Sequence, residues 1–201
     1  CETMPSARSQ RRAVLRDILG VCEFGATRVV GSAAPFGEID AVRFEALIER
    51  ARALGASGLR LTPWRAFLLA GLDRRGAKSM VDSMTELGFI VGAEDPRLRI
   101  AACPGAPACM HGHRSVRYDA TRWAAVLPEG DGVILHVSGC AKGCARPAAT
   151  AATLTATATG YDLILGARAG DPPARRDVSS AEVMHLLADA GGSMFAAETA
   201  S

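Results

Sequence analysis

The chain has 201 residues, of which 49% are apolar and 22% charged, and its formal net charge is +2. This is the composition of one or two globular domains with enough residues for a core. So small a net charge gives no basis for nucleic-acid binding, and no apolar run reaches membrane-spanning length. No hydrophobic leader is visible, so the expected localisation is cytoplasmic, with no membrane partner.

Taken in order, residues 7–22 predict a helix. Val14, Leu15, Ile18, Leu19 and Cys22 form its apolar stripe, and Arg8, Arg11, Arg12 and Arg16 form a solvated face. Residues 27–31 read as a short strand and 34–37 as a turn. Asp40 then caps an amphipathic helix with Phe44, Leu47, Ile48, Ala51 and Leu54 on one side, closed by Gly55. Residues 58–62 and 67–70 are extended, with a break at Pro63. This strand–helix–strand unit suits a ferredoxin-like half domain. Residues 76–87 give a second helix with Ala77, Met80, Val81, Met84 and Leu87 inward, the methionines serving as core filler.

Residues 98–102 form a strand that delivers Cys103. Asp119 is read as the cap of a short helix with Ala120, Trp123, Ala124 and Leu127 inward. Residues 133–137 are a buried strand that delivers Cys140, with His136 a satisfied core residue. Residues 154–159 alternate as a strand does and form a hairpin with 161–165. Residues 170–177 read as a Pro/Arg loop. Ser179 and Glu182 make a capping box for a last helix on which His185 is exposed. The expected class is α/β (α+β), with a ferredoxin-like half domain over 1–74 and a second domain over 75–201.

Four of the six cysteines fall in two short loops, Cys103-Pro-Gly-Ala-Pro-Ala-Cys109 and Cys140-Ala-Lys-Gly-Cys144. A [4Fe–4S] cluster takes four such soft thiolates. If a helix starts at Cys140, the i, i+4 spacing puts Cys140 and Cys144 on one face. Gly139 and Gly143 leave room for backbone to crowd a cofactor, and Pro104, Gly105 and Pro107 favour a wrapped loop. Three rivals stay open: structural zinc, which the x5 and x3 spacings fit poorly, disulfides, which need an oxidising compartment, and inert buried thiols.

Other polar residues stand nearby. His111 and His113 follow the first loop. They are read as hydrogen-bonding to a cluster or substrate, with direct ligation as the rival reading. Lys142 can offset cluster charge or meet a carboxylate, against the bland reading of a solvated lysine. Arg60 and Arg65 flank the Thr62-Pro63-Trp64 kink. Cys22 reads as a small buried apolar residue.

The pattern C-x5-C followed by Gly139-Cys140-x3-Cys144-Ala-Arg146-Pro147 resembles the nitrite/sulfite reductase family, the sirohaem and [4Fe–4S] enzymes. Leu59-Arg-Leu-Thr-Pro-Trp-Arg65 and His136-Val-Ser-Gly-Cys-Ala-Lys-Gly-Cys144 resemble its cobalamin-pathway branch, the precorrin-3B synthases. Sirohaem reductases tend to have Pro-Asn where this chain has Ala141-Lys142, and Gln-Asn near Trp64-Arg65. The resemblance covers roughly residues 28–170 and is to the second of the family's two repeats. With Cys1 where an initiator Met would stand, it implies a C-terminal piece whose partner is the missing N-terminal repeat.

The resemblance implies an oxidoreductase, a monooxygenase that converts precorrin-3A to precorrin-3B with oxygen and reducing equivalents. It implies a [4Fe–4S] cluster on Cys103, Cys109, Cys140 and Cys144. It places Arg65, Lys142 and Arg146 at the carboxylates of a tetrapyrrole substrate. A mononuclear iron for oxygen chemistry would have His111 and His113 as first candidates, and no catalytic residue is assigned. The implied electron donor is an NADH-linked reductase or a ferredoxin. Two other readings stay open: a sirohaem-dependent sulfite or nitrite reductase fragment, and a non-catalytic electron-transfer or structural metal module.

Overall fold

The computed structural model describes residues 15, 17–24, 27–130 and 132–189. The chain divides into two compact units, 1–95 and 96–201. Among the described residues no helix is long and apolar enough to cross a membrane.

The first unit contains β1 (Gly20–Phe24), β2 (Thr27–Ala33), α1 (Ala41–Ala53), β3 (Gly58–Leu61), β4 (Ala66–Ala70) and α2 (Arg74–Glu86). Its strands form one antiparallel sheet in the order β1-β2-β4-β3. Asp40 caps α1 as expected, its carboxylate accepting from the Arg43 amide at 2.9 Å. Helix α2 begins earlier than its apolar stripe implies, because Asp73 accepts from the Gly76 amide at 2.6 Å. Replacing that cap by Asp73→Ala is expected to destabilise the unit by about 1 kcal/mol, read by chemical denaturation.

The core of this unit joins Val30, Leu47, Phe67, Leu69, Met80 and Met84. Phe67 and Phe89 meet edge to face with centroids 5.3 Å apart. Met80 and Met84 are wholly buried here, so α2 belongs to this unit. The expected boundary after residue 74 therefore moves to 95/96.

The helix expected over 7–22 lies mostly outside the described residues. From Gly20 onward it is replaced by β1, because pairing with β2 through Val21↔Val30 and Cys22↔Val29 captures this stretch. Cys22 is half-buried, and its Sγ donates to the Asp17 carbonyl at 3.3 Å. Burial, and then the Asp17 charge, push its thiol pKa up.

The second unit contains β5 (Ile100–Ala102), α3 (Val116–Ala124), β6 (Leu135–Ser138), β7 (Thr150–Ala156), β8 (Tyr161–Ala167), β9 (Arg175–Val178) and α4 (Ser180–Asp189). The sheet order is β5-β6-β7-β8-β9. Strands β5, β6 and β7 run parallel, while β7, β8 and β9 are antiparallel. The expected hairpin is present with Ala156 opposite Tyr161. Strand β7 is buried along its whole length rather than on alternate faces. Its threonines fit because Thr153 and Thr155 donate to the carbonyls of Ala167 and Ala169, at 3.1 and 2.8 Å. The expected Pro/Arg loop contains the edge strand β9, whose charged Arg-Arg-Asp run hides its β character. Half of the capping box expected at α4 is present: the Glu182 amide donates to Ser179 Oγ at 3.2 Å, while the Glu182 carboxylate pairs with Arg175.

Asp119 is not a helix cap. It lies inside α3, buried, and accepts from the Tyr161 hydroxyl and, at 2.9 Å, from Ser180 Oγ. Trp123 Nε1 donates to the Ser180 carbonyl at 3.2 Å, and the Trp123 and Tyr161 rings meet at 5.0 Å. This polar knot ties α3, β8 and the start of α4 together. Burial, and then the bond to Asp119, hold the Tyr161 phenol protonated well above its ordinary pKa.

Candidate metal centre

Both cysteine loops leave the carboxyl ends of neighbouring parallel strands. Such ends are where open α/β sheets place their ligands. Strand β5 ends at Ala102, opposite Val137 of β6, so Cys103 and Cys140 emerge on adjacent tracks. The Cys103 amide donates to the Val137 carbonyl at 3.3 Å. The two loops then bond to each other. The Gly139 amide donates to Cys103 Sγ at 3.1 Å, and the His113 amide donates to the Gly139 carbonyl at 3.0 Å.

Within the first loop the Cys109 amide donates to the Gly105 carbonyl at 2.7 Å, and the Ala106 amide to the Arg114 carbonyl at 2.8 Å. This is the wrapped loop its prolines imply. The second loop is not helical. Gly143 has φ of 61° and its carbonyl accepts from the Arg146 amide at 3.1 Å, so 140–144 is a pair of turns. A residue in the left-handed region ends any right-handed helix at that point. Ser138 Oγ secures the entry by donating to the Cys140 carbonyl at 2.7 Å.

Cys103 is buried, Cys109 and Cys140 are half-buried and Cys144 is exposed, and all four are free thiols. Among the described residues no three His, Cys, Asp or Glu side chains are gathered around one point as a single metal ion requires. The residues nonetheless fit a cluster in two respects. The donor set is four soft sulfurs in one unit, on loops that touch. The backbones are also pressed close where the loops cross, which holds Gly139 against the first loop and its cysteine: a Cβ built on Gly139 would stand 3.0 Å from Gly105 Cα, 3.3 Å from Gly112 Cα and 3.5 Å from Cys103 Sγ. Gly139→Ala is expected to cost about 1–3 kcal/mol by overpacking and to lower the iron bound per chain. Denaturation and iron analysis of the same preparation check it.

The other sequence-predicted residues divide between the units. Arg65 lies in the first unit, exposed at the turn from β3 to β4, with φ of 60°. Thr62 Oγ1 braces this turn by accepting from the amides of Trp64 and Ala66. Lys142 and Arg146 lie together in the second unit. They line one cavity with Pro147, Arg168 and Asp171. Arg146 is half-buried, and its Nε donates to Thr150 Oγ1 at 2.9 Å. His111 and His113 are both exposed.

His136 departs from the satisfied core residue expected. It is wholly buried, yet neither ring nitrogen has a hydrogen-bond partner. Burial, and then the Arg146 charge, hold its pKa down at about 4, so the imidazole is neutral. A folded-state pKa below the ordinary 6.5 means the unfolded chain binds the proton first. The associated stability is complete above pH 6.5 and is lost as pH falls towards 4, at up to about 1.4 kcal/mol per pH unit. Denaturation at a series of pH values, against His136→Phe, checks this contribution.

Arg168 and Asp171 escaped sequence reading because they stand in a loop with no motif of its own. Only the fold of β8 brings them beside Lys142 and Arg146.

No family model matches the chain. It is 34% identical over 183 residues to a precorrin-3B synthase from Sinorhizobium sp, a match covering 88% of this chain and 39% of that protein. Its fold is similar to that in a structure of Mycobacterium tuberculosis NirA protein, with a TM-score of 0.64 at 18% identity. That superposition covers 86% of this chain and 36% of the other. The chain thus spans about two fifths of the curated relative it matches.

Proposed function

From a chain that is a homologue of precorrin-3B synthase and has the nitrite/sulfite reductase fold, we infer the cluster-holding part of an oxidoreductase of cobalamin biosynthesis. The observation that carries the reading is the joining of the two cysteine loops through Gly139 and Cys103 Sγ, in a chain 34% identical to that synthase. The ligand chemistry supports a metal centre, and the relatedness supports an oxidoreductase of cobalamin biosynthesis.

The reaction proposed is monooxygenation of precorrin-3A to precorrin-3B, which hydroxylates the ring and closes a lactone. Cys103, Cys109, Cys140 and Cys144 would hold a [4Fe–4S] cluster, which supplies single-electron transfer when bound. This chain's residues do the rest by position. Gly139 keeps the loops in contact. Lys142 and Arg146, in the second unit, would meet carboxylates of the tetrapyrrole, the guanidinium by a bidentate grip and the ammonium as a point charge. Arg65, on the first unit, is taken separately as a candidate carboxylate-binding residue. Electrons would come from an NADH-linked reductase or a ferredoxin, and the remaining repeat would complete the enzyme.

The test is turnover by the full-length protein. Incubated with precorrin-3A, oxygen and a reducing system, it is expected to yield a product heavier by one oxygen atom in mass spectrometry. Cys140→Ser should abolish that product. Unchanged substrate with an iron-loaded protein would contradict the reaction while leaving the metal centre standing.

A further inference from the structure

Beside the second cysteine loop lies a cavity of about 290 Å³, lined by Lys142, Gly143, Arg146, Arg168, Ala169 and Asp171 among others. Three cations therefore face one carboxylate. Asp171 is turned to the loop itself, where its carboxylate accepts from the Arg168 amide at 2.8 Å. Among the described residues neither Lys142 nor Arg168 has a carboxylate within ion-pair distance. Lys142 and Arg168, two cations without a carboxylate partner on one cavity wall, mark a place where an anion can reside.

A second, independent observation lies beneath it. His136 is fully buried with both ring nitrogens unpartnered. Its Cε1, the carbon between those nitrogens, faces Gly143: a methyl group built on Gly143 would lie 3.5 Å from it and 3.1 Å from Ala169 Cβ. Gly143 and Ala169 both line the cavity, so the imidazole backs its floor. A neutral imidazole has one donor and one acceptor to satisfy. Native proteins rarely leave both unmade in the interior.

We propose that this cavity is an oxyanion subsite, built from Lys142, Arg146 and Arg168 over His136, that takes one carboxylate-bearing arm of the substrate. The proposal rests on the tetrapyrrole reading only for what bears the carboxylate. It adds Arg168 as a binding residue and His136 as a positioning residue beneath the floor. Arg168 offers the planar fork that pairs with a carboxylate, and Lys142 adds a point charge.

The test needs no iron and no turnover. The isotopically labelled chain is titrated by NMR with propionate and, separately, with inorganic phosphate, following the amides of Gly143 and Gly170 and the His136 ring. Saturable shifts with propionate are expected, weakened about tenfold by Arg168→Ala. Arg176→Ala, at an exposed arginine of β9, should leave them unchanged. Saturation by phosphate alone would assign the site to a free phosphate and overturn the carboxylate. No saturable shift with either anion, or equal weakening in both variants, would overturn the subsite. Propionate binding by a chain that takes up no iron would keep the subsite and remove the redox reading, so the two failures are distinguishable.

Discussion

Cys103→Ser is expected to lose nearly all cluster iron and to loosen the second unit. Cys103 is the buried member of the four, and its sulfur accepts the Gly139 amide that joins the loops. Serine is a hard, poorly acidic donor with a shorter reach, so both roles suffer together. Cys144→Ser separates them. Cys144 is exposed, and the described hydrogen bonds that join the loops run through Gly139, Cys103 and His113 instead. That variant should lose iron with little change in the stability of the iron-free protein, whereas Cys103→Ser should lower it by about 1–2 kcal/mol. Iron analysis and denaturation of the two variants, side by side, distinguish a ligand from a structural thiol. Full iron retention in both would remove these cysteines from the metal centre.

Tyr161→Phe is expected to destabilise the second unit by about 2 kcal/mol. The hydroxyl it removes is the donor to a buried carboxylate, and Asp119 would keep only Ser180 Oγ and its backbone surroundings. A buried charge that loses a partner costs more than the bond it made. The double variant Tyr161→Phe with Asp119→Asn should be less destabilised than the two single changes predict, because the neutral amide needs the phenol less. Additive losses would show that the two groups do not act as a unit. The knot also reaches the metal centre: the Arg114 guanidinium lies 5.5 Å from the Tyr161 ring centroid, and the Arg114 carbonyl accepts the Ala106 amide of the first loop. Loss of Tyr161 should therefore also slow cluster uptake.

How far the sequence disclosed these features depended on whether a signal was local. Helices α1 and α2 were legible because their apolar stripes repeat with the helical period. The hairpin of β7 and β8 was legible through its alternation and the turn at Gly160. The cysteine loops were legible from spacing and soft-ligand chemistry. Non-local pairing was not. Cys22 ends an apolar stripe that looks helical, yet β2 draws it into a strand. Asp119 looks like a cap because caps are acidic and precede apolar stripes. Its real partners, Tyr161 and Ser180, are far along the chain. The second cysteine loop looked helical from its i, i+4 spacing, but the left-handed backbone at Gly143 forbids it.

The same reasoning explains the candidate site. Lys142 and Arg146 flank the last cysteine, so sequence reading could suspect them. Arg168 carries no motif, and His136, although it opens the motif that ends at Cys144, reads there as a satisfied core residue. They meet Lys142 and Arg146 only because the second cysteine loop, leaving β6, returns over the end of β8. Sequence also suggested a domain boundary near residue 74, where the strand pattern pauses. The buried faces of Met80 and Met84 show that the first core closes one helix later.

The most direct measurement is iron, sulfide and zinc analysis of anaerobically purified protein, together with its absorption spectrum. About four irons and four sulfides per chain, brown absorption and no chlorin bands are expected. Chlorin bands would move the chain to the sirohaem reductases. Stoichiometric zinc, or metal-free protein after cluster reconstitution, would contradict a redox centre on Cys103, Cys109, Cys140 and Cys144.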